Sequence, residues 1–211
     1  MDCKKGVAVH IGLVTAIIAM TIRKAIYLFW TTIVIGAVVS LLAGFVLNLL
    51  TDSDGIGWLG DLGGGIMFGA VAQMGFFAYM IFNWLGASFL RNRKLFLGLQ
   101  VLLMVFVLSA VLYSRYTLYG ENSVATYLAA PLLVLLVAIV VAKIKVSQTN
   151  SQAWIPTLFF MIVATMLEAG PAIKQPNLGM LLWMVVTLLA CNAWQVLQLH
   201  RLVDTKKPKG S

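Results

Sequence analysis

Six apolar runs, each long enough to cross a bilayer as a helix, follow one another between residues 25 and 199, and nothing limits the fold of this chain more tightly. They cover about Ala25–Leu50, Gly63–Leu85, Leu95–Tyr113, Val124–Ala142, Ala153–Ile173 and Leu178–Leu199. In lipid a spanning segment must satisfy its own backbone polar groups, which leaves the helix as the form for runs of this length. Composition agrees: 61% of the 211 residues are hydrophobic and 10% are charged, whereas a soluble domain carries about a quarter charged residues. The expected fold is therefore all-α, a polytopic bundle of six transmembrane helices whose first partner is membrane lipid.

The basic residues orient the bundle. Alternate ends of the spans carry Arg23, Lys24, the cluster Arg91, Arg93 and Lys94, then Lys143, Lys145, Arg201, Lys206, Lys207 and Lys209, while the opposite loops carry only Arg115 and Lys174. By the positive-inside rule, this places both termini on the cytoplasmic side. Trp30 and the group Tyr113, Tyr116 and Tyr119 read as interfacial aromatic belts. The net charge of +8 sits at helix ends rather than on one patch, so nucleic acid is not expected as a partner.

Residues 1–20 form an N-terminal extension with three readings. Lys4 and Lys5 before the apolar run Gly6–Ile22 resemble a signal peptide or a marginal span. The reading that keeps the topology simple is a start at Met20, with MTIRK as a basic leader. Residues 21–203 are then the membrane domain and 204–211 a basic cytoplasmic tail.

Inside the spans, Gly36, Ser40 and Gly44 share one helix face and Gly65 and Gly69 another, the spacing that lets backbones approach closely, with packing inside the bundle preferred over a dimer seam. Pro131 is expected to bend the fourth span or close its first turns. The loop Thr51–Asp61, with Asp52, Asp54 and Asp61, lacks a calcium-loop pattern and reads as a solvated outer loop. Gln73, Asn83, Gln100, Asn192 and Gln195 are the candidate amides within spans, the last four placed at similar depth on the inner half. Amides in lipid need partners, so helix-to-helix bonding is the preferred reading and a substrate pathway the alternative. Glu168 is the sole carboxylate inside a predicted span, and an intramembrane ionisable group is a functional candidate by default. It precedes Gly170 and Pro171, which places it near the outer boundary as a paired or snorkelled side chain, with Lys174 a candidate partner.

No catalytic constellation is legible. The only histidines are His10 and His200, and the two cysteines, Cys3 and Cys191, lie far apart. HExxH, GxSxG and phosphate-loop patterns are missing. We expect neither enzymatic activity, nor a metal, nor another cofactor.

Three segments combine polar and aromatic residues inside helices: QMGFFAYM from Gln73, LFFMIVATMLEAGP from Leu158 and LLACNAWQVLQLHRL from Leu188. Together they resemble the KbaA family, the KinB-signalling-pathway activation proteins of spore-forming Gram-positive bacteria, over about Thr21–Val203. Residues before Met20 look additional to that family pattern. The resemblance implies a multi-pass protein of the bacterial cytoplasmic membrane that activates a sensor histidine kinase at the entry to sporulation, with no established catalytic residues. A small-molecule transporter or ligand sensor that feeds the pathway indirectly is the alternative.

Overall fold

A computed structural model describes residues 22–50, 57–90, 92–119 and 124–203. The N-terminal extension, the loop with Asp52 and Asp54, Arg91 and the basic tail lie outside the described residues. Within them the chain folds as helices: α1 (Ile22–Leu50), α2 (Trp58–Phe89), α3 (Arg93–Tyr119) and α4 (Val124–Gln148). A short 3₁₀ turn, Ser151–Ala153, leads into α5 (Trp154–Phe159), a π-helical segment (Phe160–Ala164), α6 (Thr165–Glu168) and α7 (Gly170–Ile173). The last helix is α8 (Leu178–Val203). Six stretches among these are long and apolar enough to cross a membrane.

The two glycine faces dock on each other. A Cβ added to Gly65 of α2 meets the Gly36 carbonyl of α1 at 2.5 Å and Ala37 Cα at 2.7 Å, and one added to Gly69 meets Ile33 Cα at 2.9 Å. Only hydrogen at these positions permits such backbone contact, which makes α1–α2 the most extensive helix pair. Gly44, the next position of the stripe, lies against the Asp61 carboxylate, and Ser40 Oγ donates to the Asp61 carbonyl at 2.6 Å. Trp183 of α8 closes this corner, its ring over Gly64 and its Nε1 donating to Ser40 O at 3.0 Å.

α8 is the axis of the bundle, with Leu181, Val185, Leu188, Cys191 and Val196 buried. The outward surface is apolar instead: Trp30, Val38 and Leu42 on α1, Met74 and Ile81 on α2, Leu102 and Phe106 on α3 and Leu136 on α4 are all exposed. An exposed apolar face of this extent marks contact with something other than water.

Several helices run past the ends of their apolar runs. α3 continues to Tyr119, so Arg115 is a helical residue rather than a loop residue. It is fully buried, which its bonds explain: the guanidinium donates to the carbonyls of Ile173, Gln175 and Thr126 at 2.8, 2.8 and 2.6 Å and lies 4.5 Å from the Tyr119 ring centre. α4 continues to Gln148 and keeps Pro131 within it, with Lys145 buried and donating to the Val196 carbonyl at 2.6 Å. α2 begins at Trp58, which puts Asp61 in its first turn, where a carboxylate complements the helix dipole.

The fifth stretch is not one regular helix. A π-helical segment holds one more residue per turn than an α-helical one, and such segments cluster at functional sites. Where this segment begins, the consecutive residues Phe159 and Phe160 both pack on α2. Phe159 stacks on Phe82 at 5.0 Å between ring centres, and Phe160 packs on Tyr79 at 4.7 Å and Phe76 at 5.8 Å.

Candidate functional site: a polar core between α2, α6 and α8

The middle of α2 and the middle of α8 bring the predicted amides together, but in different pairs from those that depth alone implies. Gln73 and Gln195 are both buried, and Gln195 Nε2 donates to Gln73 Oε1 at 2.9 Å. One turn earlier on α8, Asn192 Nδ2 donates to Glu168 Oε2 at 2.7 Å and to Thr165 Oγ1 at 3.0 Å. Asn192 and Gln195 thus share a face, as their i, i+3 spacing implies, and that face reaches two separate elements.

Asn83 and Gln100 form their own link between α2 and α3. Gln100 Nε2 donates to Asn83 Oδ1 at 3.2 Å, and Asn83 Nδ2 donates to the Tyr79 carbonyl at 3.2 Å. Gln100 is buried whereas Asn83 is half-buried. The four inner amides are therefore two groups rather than one ring.

Glu168 departs furthest from expectation. Its carboxylate does not sit at an outer boundary or beside Lys174; it packs against Gly75 in the middle of α2 and binds Asn192 in the middle of α8. Two features of the chain explain this. The break at Ala169 does not end the segment, because α7 carries the helical path on to Ile173. In addition, a helical side chain leans toward the N-terminus of its helix, here back into the bundle. Gly75 supplies the room: a Cβ there would overlap Glu168 Oε1.

Sequence reasoning missed Gly75, Thr165 and Arg115 as members of buried polar contacts. Gly75 and Thr165 lie inside the quoted motifs, where a small residue and a hydroxyl one give no signal of what they face. Arg115 carried one usable signal, a lone cation among three tyrosines.

At the other end of the bundle, Arg93 Nη2 donates to Gln152 Oε1 at 2.8 Å, and the Lys94 amide is capped by Asn92 Oδ1 at 3.0 Å. Arg93 lines an open cleft of about 380 Å³ with Leu97, Ser151, Gln152, Trp154 and Ile155.

These features define a helical bundle with six stretches long and apolar enough to cross a membrane, whose interior amides and the Glu168 carboxylate bond to one another across helices. The chain belongs to the KbaA family: the family model described as KinB-signalling pathway activation in sporulation matches residues 12–202, a range that opens upstream of Met20. It is 30% identical over 196 residues to the KinB-signaling pathway activation protein of Bacillus subtilis (strain 168), covering 86% of this chain and 98% of that protein. No solved structure gives a significant match. The names of family and relative indicate activation of the KinB signalling pathway in sporulation.

Proposed function

We propose that this chain is a multi-pass protein of the cytoplasmic membrane, both termini inside, that activates a KinB-type sensor histidine kinase without catalysing a reaction. In this reading its helices contact the membrane part of the kinase. The family match across residues 12–202 carries the proposal. The apolar outward face of α1, α2 and α3 supports it, because helices in lipid recognise one another by packing. Arg93 and Lys94, at the start of α3, support a cytoplasmic placement of that end through the positive-inside rule.

Deletion of the gene is expected to block kinase-dependent sporulation, and the tagged protein is expected to co-purify with the kinase. Normal sporulation in the deletion strain overturns the proposal. A ligand sensor or transporter acting indirectly is the second reading, favoured by buried polar atoms of the core that have no hydrogen-bond partner, Glu168 Oε1 among them. Solute uptake into vesicles that is lost in Glu168→Gln selects that reading instead.

A further inference from the structure

The hydrogen bonds of the polar core do not balance. Buried atoms left without a partner include Gln73 Nε2, Gln195 Oε1, Asn192 Oδ1 and Glu168 Oε1. The glutamine pair leaves one donor and one acceptor whichever way the two amides are turned, so it is neutral in this count. What remains is two oxygens, Asn192 Oδ1 and Glu168 Oε1, on groups already joined through Nδ2 and Oε2 by a 2.7 Å bond, with no donor for either. Turning the Asn192 amide does not help, because it sets an amide oxygen against a carboxylate oxygen.

Among the described residues, no cation bonds to either oxygen. From α8 it is faced by Asn192 and by the thiol of Cys191, which is directed to the Thr32 carbonyl. From α2 it is faced by Gly75, with Tyr79 a turn away and its hydroxyl donating to Pro156 O at 3.2 Å. The buried cation of α3, Arg115, is committed to the carbonyls of Ile173, Gln175 and Thr126. Lys174, beyond α7, lies where its own carbonyl accepts from the Tyr119 hydroxyl.

We propose that Glu168 and Asn192, seated on Gly75, form a site for one positive charge: a proton on the carboxyl group or a sodium-sized ion held by their oxygens. An uncompensated carboxylate at this depth is costly, and oxygen ligands beside an irregular helix are the form that membrane proteins give to such sites. The adjoining π-helical segment supplies the irregular backbone. This site stands apart from the kinase reading and holds or fails without it.

The test uses the full chain in lipid nanodiscs. Its melting midpoint is followed as Na⁺ replaces choline at fixed pH, and the infrared carbonyl band of a protonated carboxylic acid is recorded in choline near neutral pH. A midpoint that rises with Na⁺ in the wild type and not in Glu168→Gln assigns the ion. No Na⁺ effect together with an acid band that disappears in Glu168→Gln assigns the proton. Neither a Na⁺ effect nor an acid band overturns the proposal. If Glu168→Gln does not fold, Gly75→Ala keeps the carboxyl but displaces it, and is expected to abolish the Na⁺ rise or shift the band. An unchanged response in Gly75→Ala also overturns the site.

Discussion

Among the charged side chains drawn into this bundle, Arg115 and Glu168 are treated in opposite ways. Arg115 gives three hydrogen bonds to three backbone carbonyls and lies over the Tyr119 ring. Those carbonyls belong to the end of α7, the turn before α8 and the first turn of α4, so one guanidinium ties together the ends of three segments. Glu168 makes one side-chain bond with Oε2, to Asn192, while its second oxygen is buried without one. A planar fork suits several fixed acceptors at once, and a group bonded in this way is held in one geometry. Arg115 keeps one buried donor, Nε, without a partner, but both its terminal nitrogens are fixed. The carboxyl has one of its two oxygens unbonded and can still gain a partner. The comparison separates a staple from a site.

The largest expected effect breaks the staple. Arg115→Met strips the donors from three carbonyls, and a buried polar group left unpaired costs about 1–3 kcal/mol. We expect a loss of about 3 kcal/mol or more on denaturation of the purified protein, with protease cleavage appearing between residues 173 and 178. Arg115→Lys is expected to recover only part, because a point charge cannot serve three acceptors in a plane. Wild-type stability in Arg115→Met refutes the staple.

The same contrast explains what could be read from sequence. Apolar runs specify spans because a helix interior in lipid has few alternatives, and the six stretches were legible for that reason. Helix ends were legible only where polarity and exposure coincide. They fail at Arg115 and Lys145, where a charged residue is buried by bonds to backbone carbonyls of distant segments. The amides were legible as residues in need of partners, but the partners depend on which faces meet. Gln73 with Gln195 and Asn192 with Glu168 are set by the docking of α8 beside α2 and α6, which no local pattern encodes. Gly75 is the sharpest case, since its role lies in the space above it.

A smaller effect tests whether the glutamine pair is glue. Gln73→Leu leaves Gln195 buried without its acceptor and is expected to cost about 1–2 kcal/mol. Gln73→Leu with Gln195→Leu removes both polar groups and is expected to recover most of that loss. Coupling between amides across helices in membranes averages about 0.6 kcal/mol, so the double-mutant cycle must be read at that precision. A double variant as unstable as the sum of its singles shows that the pair is not a bonded unit.

The smallest stability effect is expected where the functional effect is large. Glu168→Gln keeps an oxygen for Asn192 Nδ2 and nearly the same volume, so its stability is expected to lie within about 1 kcal/mol of wild type. Its sporulation frequency is nevertheless expected to fall at wild-type protein level, measured by immunoblot of the membrane fraction. Arg115→Lys should do the reverse, with sporulation falling only as far as protein level does. If the two variants follow one line of sporulation against abundance, Glu168 is a second structural group and the distinction between staple and site collapses. If they separate, the half-bonded carboxyl bears on signalling through its own chemistry rather than through the fold, because the fold is the property that Glu168→Gln leaves in place.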